Sequence, residues 1–342
     1  MTAHEIHLAS RPKGWPTADT FAHATTELAA PNDGEVLVRN LFMSVDPYMR
    51  GRMNDVKSYV PSFQIGQPLE GGAIGEVIES RAAELKPGDI IQSMRGWRDA
   101  FVAPASELRR VETNVQPLSL HLGVLGMTGL TAWVGLNLVD VKAGDRLFVS
   151  GAAGAVGSVA GQLAKLRGCF VVGSAGSDQK VDALTSDFGF DAGFNYKHPS
   201  TPTKDASLGA GGLKQMLSEA APDGIDVYFD NVGGEHLEAA LACLRDHGRI
   251  AACGAISRYN EEDSVPGPRN MFLFVTRRLT LRGFIVTDHV RETKAFAAEV
   301  APLVQSGRLK ARETVVSGLE NAPQAFLDML HGANLGKMIV KI

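Results

Sequence analysis

The run Ser150-Gly151-Ala152-Ala153-Gly154-Ala155-Val156-Gly157 follows three apolar residues, Leu147, Phe148 and Val149. It leads into Val156, Val159, Ala160, Leu163 and Ala164 at helical spacing. Set against G-x-G-x-x-G, Ala152 stands at the first glycine's place, while Gly154 and Gly157 keep theirs. The second glycine lets backbone approach a pyrophosphate and the third lets the helix pack on its strand; the helix start offers amides and the positive end of a dipole. The chemistry predicted is phosphate binding for a dinucleotide.

About twenty residues further, in such a unit, an acid that bonds the ribose 2′-hydroxyl would repel a 2′-phosphate. Here the stretch reads Val172-Gly173-Ser174-Ala175-Gly176-Ser177-Asp178-Gln179-Lys180. The strand ends on small neutral residues, and Lys180 in the next helix's first turn can meet a phosphate as a point charge. Asp178 reads as part of the helix start, where an acid suits the dipole. The pattern favours NADP over NAD.

Alternating elements must position these residues. After Phe170 to Val172, the pattern predicts a helix at Gln179 to Phe188, a strand at Ala192 to Phe194 and a helix at Leu213 to Ala220. A strand at Ile225 to Phe229, a helix at Glu235 to Leu244, and strands at Arg249 to Cys253 and Leu279 to Ile285 follow. Six strands joined mostly by helices make a doubly wound parallel sheet of the Rossmann kind, an α/β fold. The first 125 residues instead read as short β segments, Glu35 to Val45, Gly72 to Glu79, Asp89 to Met94 and Phe101 to Ala103, a mostly β domain. The tail after Gly307 returns to that style, with β segments Glu313 to Ser317 and Lys337 to Lys341 around a helix, Ala322 to Leu330. The expected domains are 1–125 completed by 308–342, and 126–307.

With 342 residues, 44% hydrophobic and 21% charged, the chain has a globular composition, and its net charge of −4 gives no footprint for nucleic acid or an anionic membrane. Cys169, Cys243 and Cys253 each lie in apolar runs, without a C-x-x-C, and read as buried thiols of a reducing compartment. The first residues carry no apolar export segment, and no stretch approaches eighteen apolar residues, so a cytoplasmic protein is expected.

Six segments carry a family likeness: Asn40 to Arg52 (NLFMSVDPYMRGR), Gly126 to Ala132 (GMTGLTA), Gly173 to Val181 (GSAGSDQKV), Phe194 to Lys197 (FNYK), Asp230 to Gly234 (DNVGG) and Cys253 to Asn260 (CGAISRYN). In that order, and over essentially the whole chain, they resemble the zinc-independent medium-chain dehydrogenase/reductases. More narrowly, they resemble the branch of prostaglandin reductase, leukotriene B4 dehydrogenase and the double-bond reductases, curcumin reductase among them. The resemblance implies a GroES-like catalytic domain beside the Rossmann domain, NADPH, a homodimer, and reduction of the C=C bond of α,β-unsaturated carbonyls.

Carried over by motif, the resemblance places the pyrophosphate on Ala153, Gly154, Ala155, Val156 and Gly157, and the 2′-phosphate at Lys180 and Tyr196, with Gly176 among the cofactor residues. Asn231 and the run Cys253, Gly254, Ala255, Ile256 and Ser257 would follow the cofactor. Phe284 and Val286 would flank the nicotinamide amide, Thr131 would lie beside the nicotinamide, and Asn334 would close over the cofactor. Its acid is the tyrosine of CGAIS-x-Y, here Tyr259.

Zinc chemistry needs thiolate and imidazole ligands in tetrahedral sets. Met43-Ser44-Val45-Asp46 and Pro68-Leu69-Glu70-Gly71 stand where zinc relatives carry a cysteine and a Gly-His-Glu, and no cysteine precedes Cys169. The nine histidines are scattered and read as surface or helix-terminal groups. Without a metal, the charge that builds on a carbonyl oxygen needs a hydrogen-bond donor, and a phenol or the cofactor's ribose hydroxyl can serve. Tyr259 follows a strand end, and Tyr48, amid Met43, Met49 and Met53, reads as substrate-pocket wall. Glu261 to Asn270 reads as a lid or a plain loop. The reading is an NADPH-dependent enone or alkenal reductase; the alternatives are a quinone reductase on the same scaffold and a cofactor-binding protein without turnover.

Overall fold

Apolar runs of the middle of the chain become parallel strands, and the amphipathic stretches between them become helices. The computed structural model describes residues 1–197, 209–262 and 266–342. These form two compact units, 1–123 with 313–342, and 124–312. The possible lid at 261–270 includes 263–265, which lie outside the described residues.

The first unit opens with an antiparallel pair, β1 (Thr2–Leu8) and β2 (Phe21–Glu27). The sequence reading placed no strand before Glu35, because His4, Glu5 and His7 break the apolar run. Glu5 is nevertheless buried, and its carboxylate accepts from Thr26 Oγ1 at 2.9 Å and pairs with His7 Nε2 at 2.8 Å. Then come β3 (Glu35–Ser44), α1 (Tyr48–Arg52), β4 (Ala73–Ser80), β5 (Ile90–Ser93), β6 (Ala100–Pro104) and β7 (Arg109–Arg110).

The second unit runs through α2 (Met127–Leu138), β8 (Arg146–Val149), α3 (Ala155–Leu166), β9 (Phe170–Ala175), α4 (Asp178–Ser186) and β10 (Ala192–Asn195). It continues with α5 (Gly209–Ala220), β11 (Ile225–Asp230), α6 (Gly234–Cys243), β12 (Leu244–Ala252), α7 (Leu273–Thr276), β13 (Thr280–Gly283) and α8 (Thr293–Gln305). The strands lie in the order β10-β9-β8-β11-β12-β13, every neighbouring pair parallel. This is the doubly wound order, and its direction reverses between β8 and β11. At such a reversal the helices leave the two strands toward opposite faces, and a crevice opens outside the carboxyl ends.

Among the boundaries that differ from the sequence reading are those of β12 and β13. β12 begins at Leu244 rather than Arg249, because exposed Arg245, Asp246 and His247 sit in a bulge whose register jumps from Ile225 opposite Leu244 to Val227 opposite Arg249. β13 stops at Gly283 instead of Ile285. Helices α2 and α8 were not anticipated. Gly129 and Gly135 hide α2, although both are needed: a side chain on Gly135 would stand 2.8 Å from Phe229 Cζ and 2.9 Å from Phe284 Cζ.

The chain then returns to the first unit with β14 (Glu313–Ser317), α9 (Ala322–Leu330) and β15 (Lys337–Lys341). Its larger sheet runs β14-β15-β3-β4-β5-β7, with β6 also on β3. Buried Lys337 ties the return to the segment after β3, donating to Val45 O at 2.8 Å and pairing with Asp46 at 3.0 Å.

Candidate active site

At the carboxyl end of β8 the chain turns through Ser150–Gly154 into α3. Ser158 N–H makes the helix's first internal bond, to Gly154 O at 3.0 Å, so the amides of Ala155, Val156 and Gly157 precede any intrahelical acceptor. A side chain on Gly157 would collide with the Gly151 carbonyl and lie 2.8 Å from Ala152 Cα, so only glycine lets α3 start this close to the turn. Three unspent amides at the positive end of a twelve-residue helix are the donor set a pyrophosphate requires. The residues present fit a dinucleotide.

Three loops meet around one buried carboxylate. Asp230 ends β11 with 3% of its surface exposed, and Oδ1 accepts from Tyr228 Oη at 2.7 Å, Gly233 N at 2.7 Å, Val232 N at 3.0 Å and Ser150 Oγ at 3.3 Å. Burial raises its pKa, and the donors oppose that rise. Asn231 is bound in turn to the β8 turn, N–H to Ser150 Oγ at 3.0 Å and Nδ2 to Ser150 O at 2.8 Å. The β12 loop closes on the same segment: Cys253 N and Gly254 N both donate to Asp230 O, and Ser257 Oγ donates to Val232 O at 2.6 Å. Sequence reading named Asn231 and the run Cys253–Ser257 but missed Asp230, Tyr228 and Ser150 as their supports. The available signal was an acid directly after the apolar pair Tyr228-Phe229, at the end of the strand Ile225–Asp230.

Tyr259 follows a 3-10 turn, Ile256–Arg258, and its hydroxyl stands 3.4 Å from where a side chain on Gly254 would begin. The phenol is thereby placed over the carboxyl end of β12. Cys253 is half-buried rather than buried, a correction to the sequence reading, and burial followed by Asp230 pushes its thiol up to about 12. It is a neutral wall, not a nucleophile.

At the end of β9, Ser177 caps α4 by accepting from Lys180 N, and Asp178 Oδ1 accepts from Asn195 Nδ2 at 2.9 Å. Gly176 faces Tyr196, whose hydroxyl would lie 3.2 Å from an added Cβ. Tyr196 packs edge-on against His236 at 4.8 Å, and burial lowers the imidazole pKa to about 4, which keeps it neutral. Phe284 packs against α2 and His289, Val286 starts the next 3-10 turn, and Thr131 Oγ1 donates to Met127 O at 2.7 Å.

Tyr48 and Asn334 belong to the first unit. Asn334 Nδ2 donates to Gly336 O at 2.7 Å. Tyr48 opens α1 with its hydroxyl buried and, among the described residues, without a hydrogen-bond partner, and burial followed by Asp46 raises its pKa. Among the described residues no three His, Cys, Asp or Glu side chains group to hold a metal.

Two family models match, described as the N-terminal domain of oxidoreductase at residues 4–111 and zinc-binding dehydrogenase at residues 155–304. The chain is 41% identical to the NADP-dependent 2-alkenal reductase of Nicotiana tabacum, covering 94% of this chain and 91% of that one. It is 37% identical to the NADPH-dependent curcumin reductase of Escherichia coli, over 98% and 95% of the two. The crystal structure of CurA from Vibrio vulnificus in complex with NADPH superposes with a TM-score of 0.91, at 37% identity, over 99% of this chain and 98% of that one. The chain belongs to the medium-chain dehydrogenase/reductase family, on the branch of these double-bond reductases.

Replacing Asp230 with Ala strands several buried donors at once. A loss of about 3–5 kcal/mol is expected, read as a fall of more than about 6 °C in thermal midpoint. Asp230→Asn, which keeps an oxygen, should lose less than half as much; equal midpoints for Asp230→Ala and the unmodified protein would remove the carboxylate from this role.

Proposed function

We propose that the protein is an NADPH-dependent reductase of the C=C bond of α,β-unsaturated aldehydes and ketones. The observation that carries this reading is the set of amides at the start of α3 with no helical acceptor, on the loop that Ser150 and Asp230 tie to the β11 and β12 loops. The tobacco and Escherichia coli relatives, named for such reductions, support it. Ala153–Gly157 would hold the pyrophosphate, Lys180 and Tyr196 the 2′-phosphate, and Asn231, Cys253–Ser257, Phe284, Val286 and Thr131 the rest of the cofactor, with Asn334 as a further contact. Bound there, NADPH supplies a hydride.

The chain's own residues then have two tasks. As hydride reaches the β-carbon, negative charge moves to the carbonyl oxygen, and Tyr259 Oη donates a hydrogen bond to it. A phenol that donates a hydrogen bond stabilises this enolate as its charge develops. Tyr48 is the proposed substrate contact in the first unit. A buried hydroxyl without a partner costs about 1–3 kcal/mol, a cost that a substrate oxygen would relieve.

We also propose a cytoplasmic homodimer. The three cysteines are unpaired, and no helix among the described residues is long and apolar enough to cross a membrane. β13 closes the sheet with all four residues exposed, and Phe272 and Val275 are 72% and 67% exposed beside it, a face suited to a second copy. Sedimentation should give twice the 36.4 kDa chain mass; a monomer at assay concentration would remove the dimer from the account.

The direct test is NADPH oxidation that depends on an added enone, run beside quinones and saturated aldehydes. Lys180→Ala should weaken NADPH about 10- to 150-fold and leave NADH nearly unchanged, since one charge-assisted contact is worth about 1.5–3 kcal/mol. Equal losses for both nucleotides would place Lys180 elsewhere. Tyr259→Phe should lower kcat roughly 10- to 100-fold with NADPH affinity changed less than about threefold, below the loss of a lone oxyanion donor because the ribose hydroxyl is a second one. An unchanged kcat, measured with a simple enone, would assign the charge stabilisation to another group.

A further inference from the structure

We infer that Lys197, at the end of the β10 turn, is a second cation of the pocket that takes the cofactor's 2′-phosphate, and a determinant of NADP over NAD. The inference rests on the NADPH reading above and adds a residue to it.

The geometry converges on Gly176. From the position a side chain there would begin, the hydroxyl of Tyr196 lies at 3.2 Å and Cε of Lys197 at 3.4 Å, so the glycine leaves a recess walled by a phenol and a lysine stem. Lys197 Nζ stands 5.9 Å from the Tyr196 ring centroid, which keeps the ammonium beside the ring. Among the described residues Lys197 makes no ion pair.

Hydrogen bonds fix this arrangement from the backbone upward. Tyr196 N–H donates to Ala175 O at 3.1 Å, and Lys197 N–H donates to Asn195 Oδ1 at 3.0 Å. Asn195 in turn donates through Nδ2 to Asp178 Oδ1 at 2.9 Å. The acid nearest in sequence to the pocket is thus engaged in holding the turn that presents Lys197. His236, neutral and edge-on to Tyr196, holds the ring from its other contact without adding charge.

Electrostatics agree with the geometry. Burial, and then the charge of Lys197, hold the Lys180 ammonium below its ordinary range, so the two cations feel one another. Like charges brought together in a folded protein are unfavourable until an anion joins them. A phosphate monoester carries about −1.5 to −2 at neutral pH, which one lysine leaves under-neutralised and two match. A ribose hydroxyl offers neither lysine any charge.

The test uses the full-length protein and two probes without a nicotinamide, adenosine 2′,5′-bisphosphate and 5′-AMP, with affinity read by calorimetry. The unmodified protein should prefer the bisphosphate by at least about tenfold. Lys197→Ala should lose about tenfold for the bisphosphate and less than twofold for 5′-AMP, while Lys197→Arg should stay within about threefold of the unmodified protein for both. If the preference is present and Lys197→Ala leaves it intact, or weakens both probes equally, this inference fails and the NADPH reading stands. If the unmodified protein does not distinguish the probes, the NADPH reading fails and takes the inference with it.

Discussion

Asp230 gathers on one oxygen the Tyr228 hydroxyl of its own strand, two amides of the loop it begins, and the serine of the loop after β8. Removed from water, each of those donors would otherwise cost free energy, and the carboxylate would cost more still. Met together, they lock the β8 and β11 loops in a single arrangement, and the backbone carbonyl of Asp230 adds the β12 loop through Cys253 and Gly254. The amides that start α3, proposed for the pyrophosphate, follow the first loop, with Asn231 on the second and Tyr259 beyond the third. Their mutual placement is a consequence of this knot rather than of any direct contact among them.

Around that knot the structure separates charge from neutrality. Lysines stand at the β9 and β10 ends, where a phosphate would sit, while the side chains around the strand ends are held neutral by burial: Tyr228 and Tyr196 above the ordinary phenol range, the Cys253 thiol up, and the His236 imidazole down. Beside these neutral groups the Asp230 carboxylate is taken up by its own donors, an arrangement that suits an enolate which must be stabilised and then protonated in turn.

Much of this was legible from residue patterns because the parallel strands are short β-branched and apolar runs, and the glycine turn lies between one of them and an amphipathic helix. Ala192–Asn195 and Ile225–Asp230 fall within a residue of where periodicity put them. What escaped was held by polar burial or by close approach. Glu5 broke the alternation of β1 because its partner Thr26 reaches it only once β1 and β2 pair. The glycines of α2 argue against a helix until Phe229 and Phe284 are seen to fill the space beside Gly135. Asp230 looked like the end of a strand, since nothing in the sequence says that Ser150, eighty residues away, will join its local donors on one oxygen. Lys197 was visible as a residue of FNYK, but its approach to Gly176 depends on the Asn195–Asp178 bond across α4 and β10.

The central claim is that hydride goes to the carbon β to a carbonyl, with the oxygen's charge held by a phenol. The most direct measurement is the fate of the label when NADPH carrying deuterium at the transferred C4 position reduces a simple enone, followed by NMR and mass spectrometry of the product. The account predicts a saturated ketone with one deuterium on its β-carbon. An allylic alcohol with deuterium on the carbinol carbon would mean that the carbonyl itself is reduced, and would contradict it.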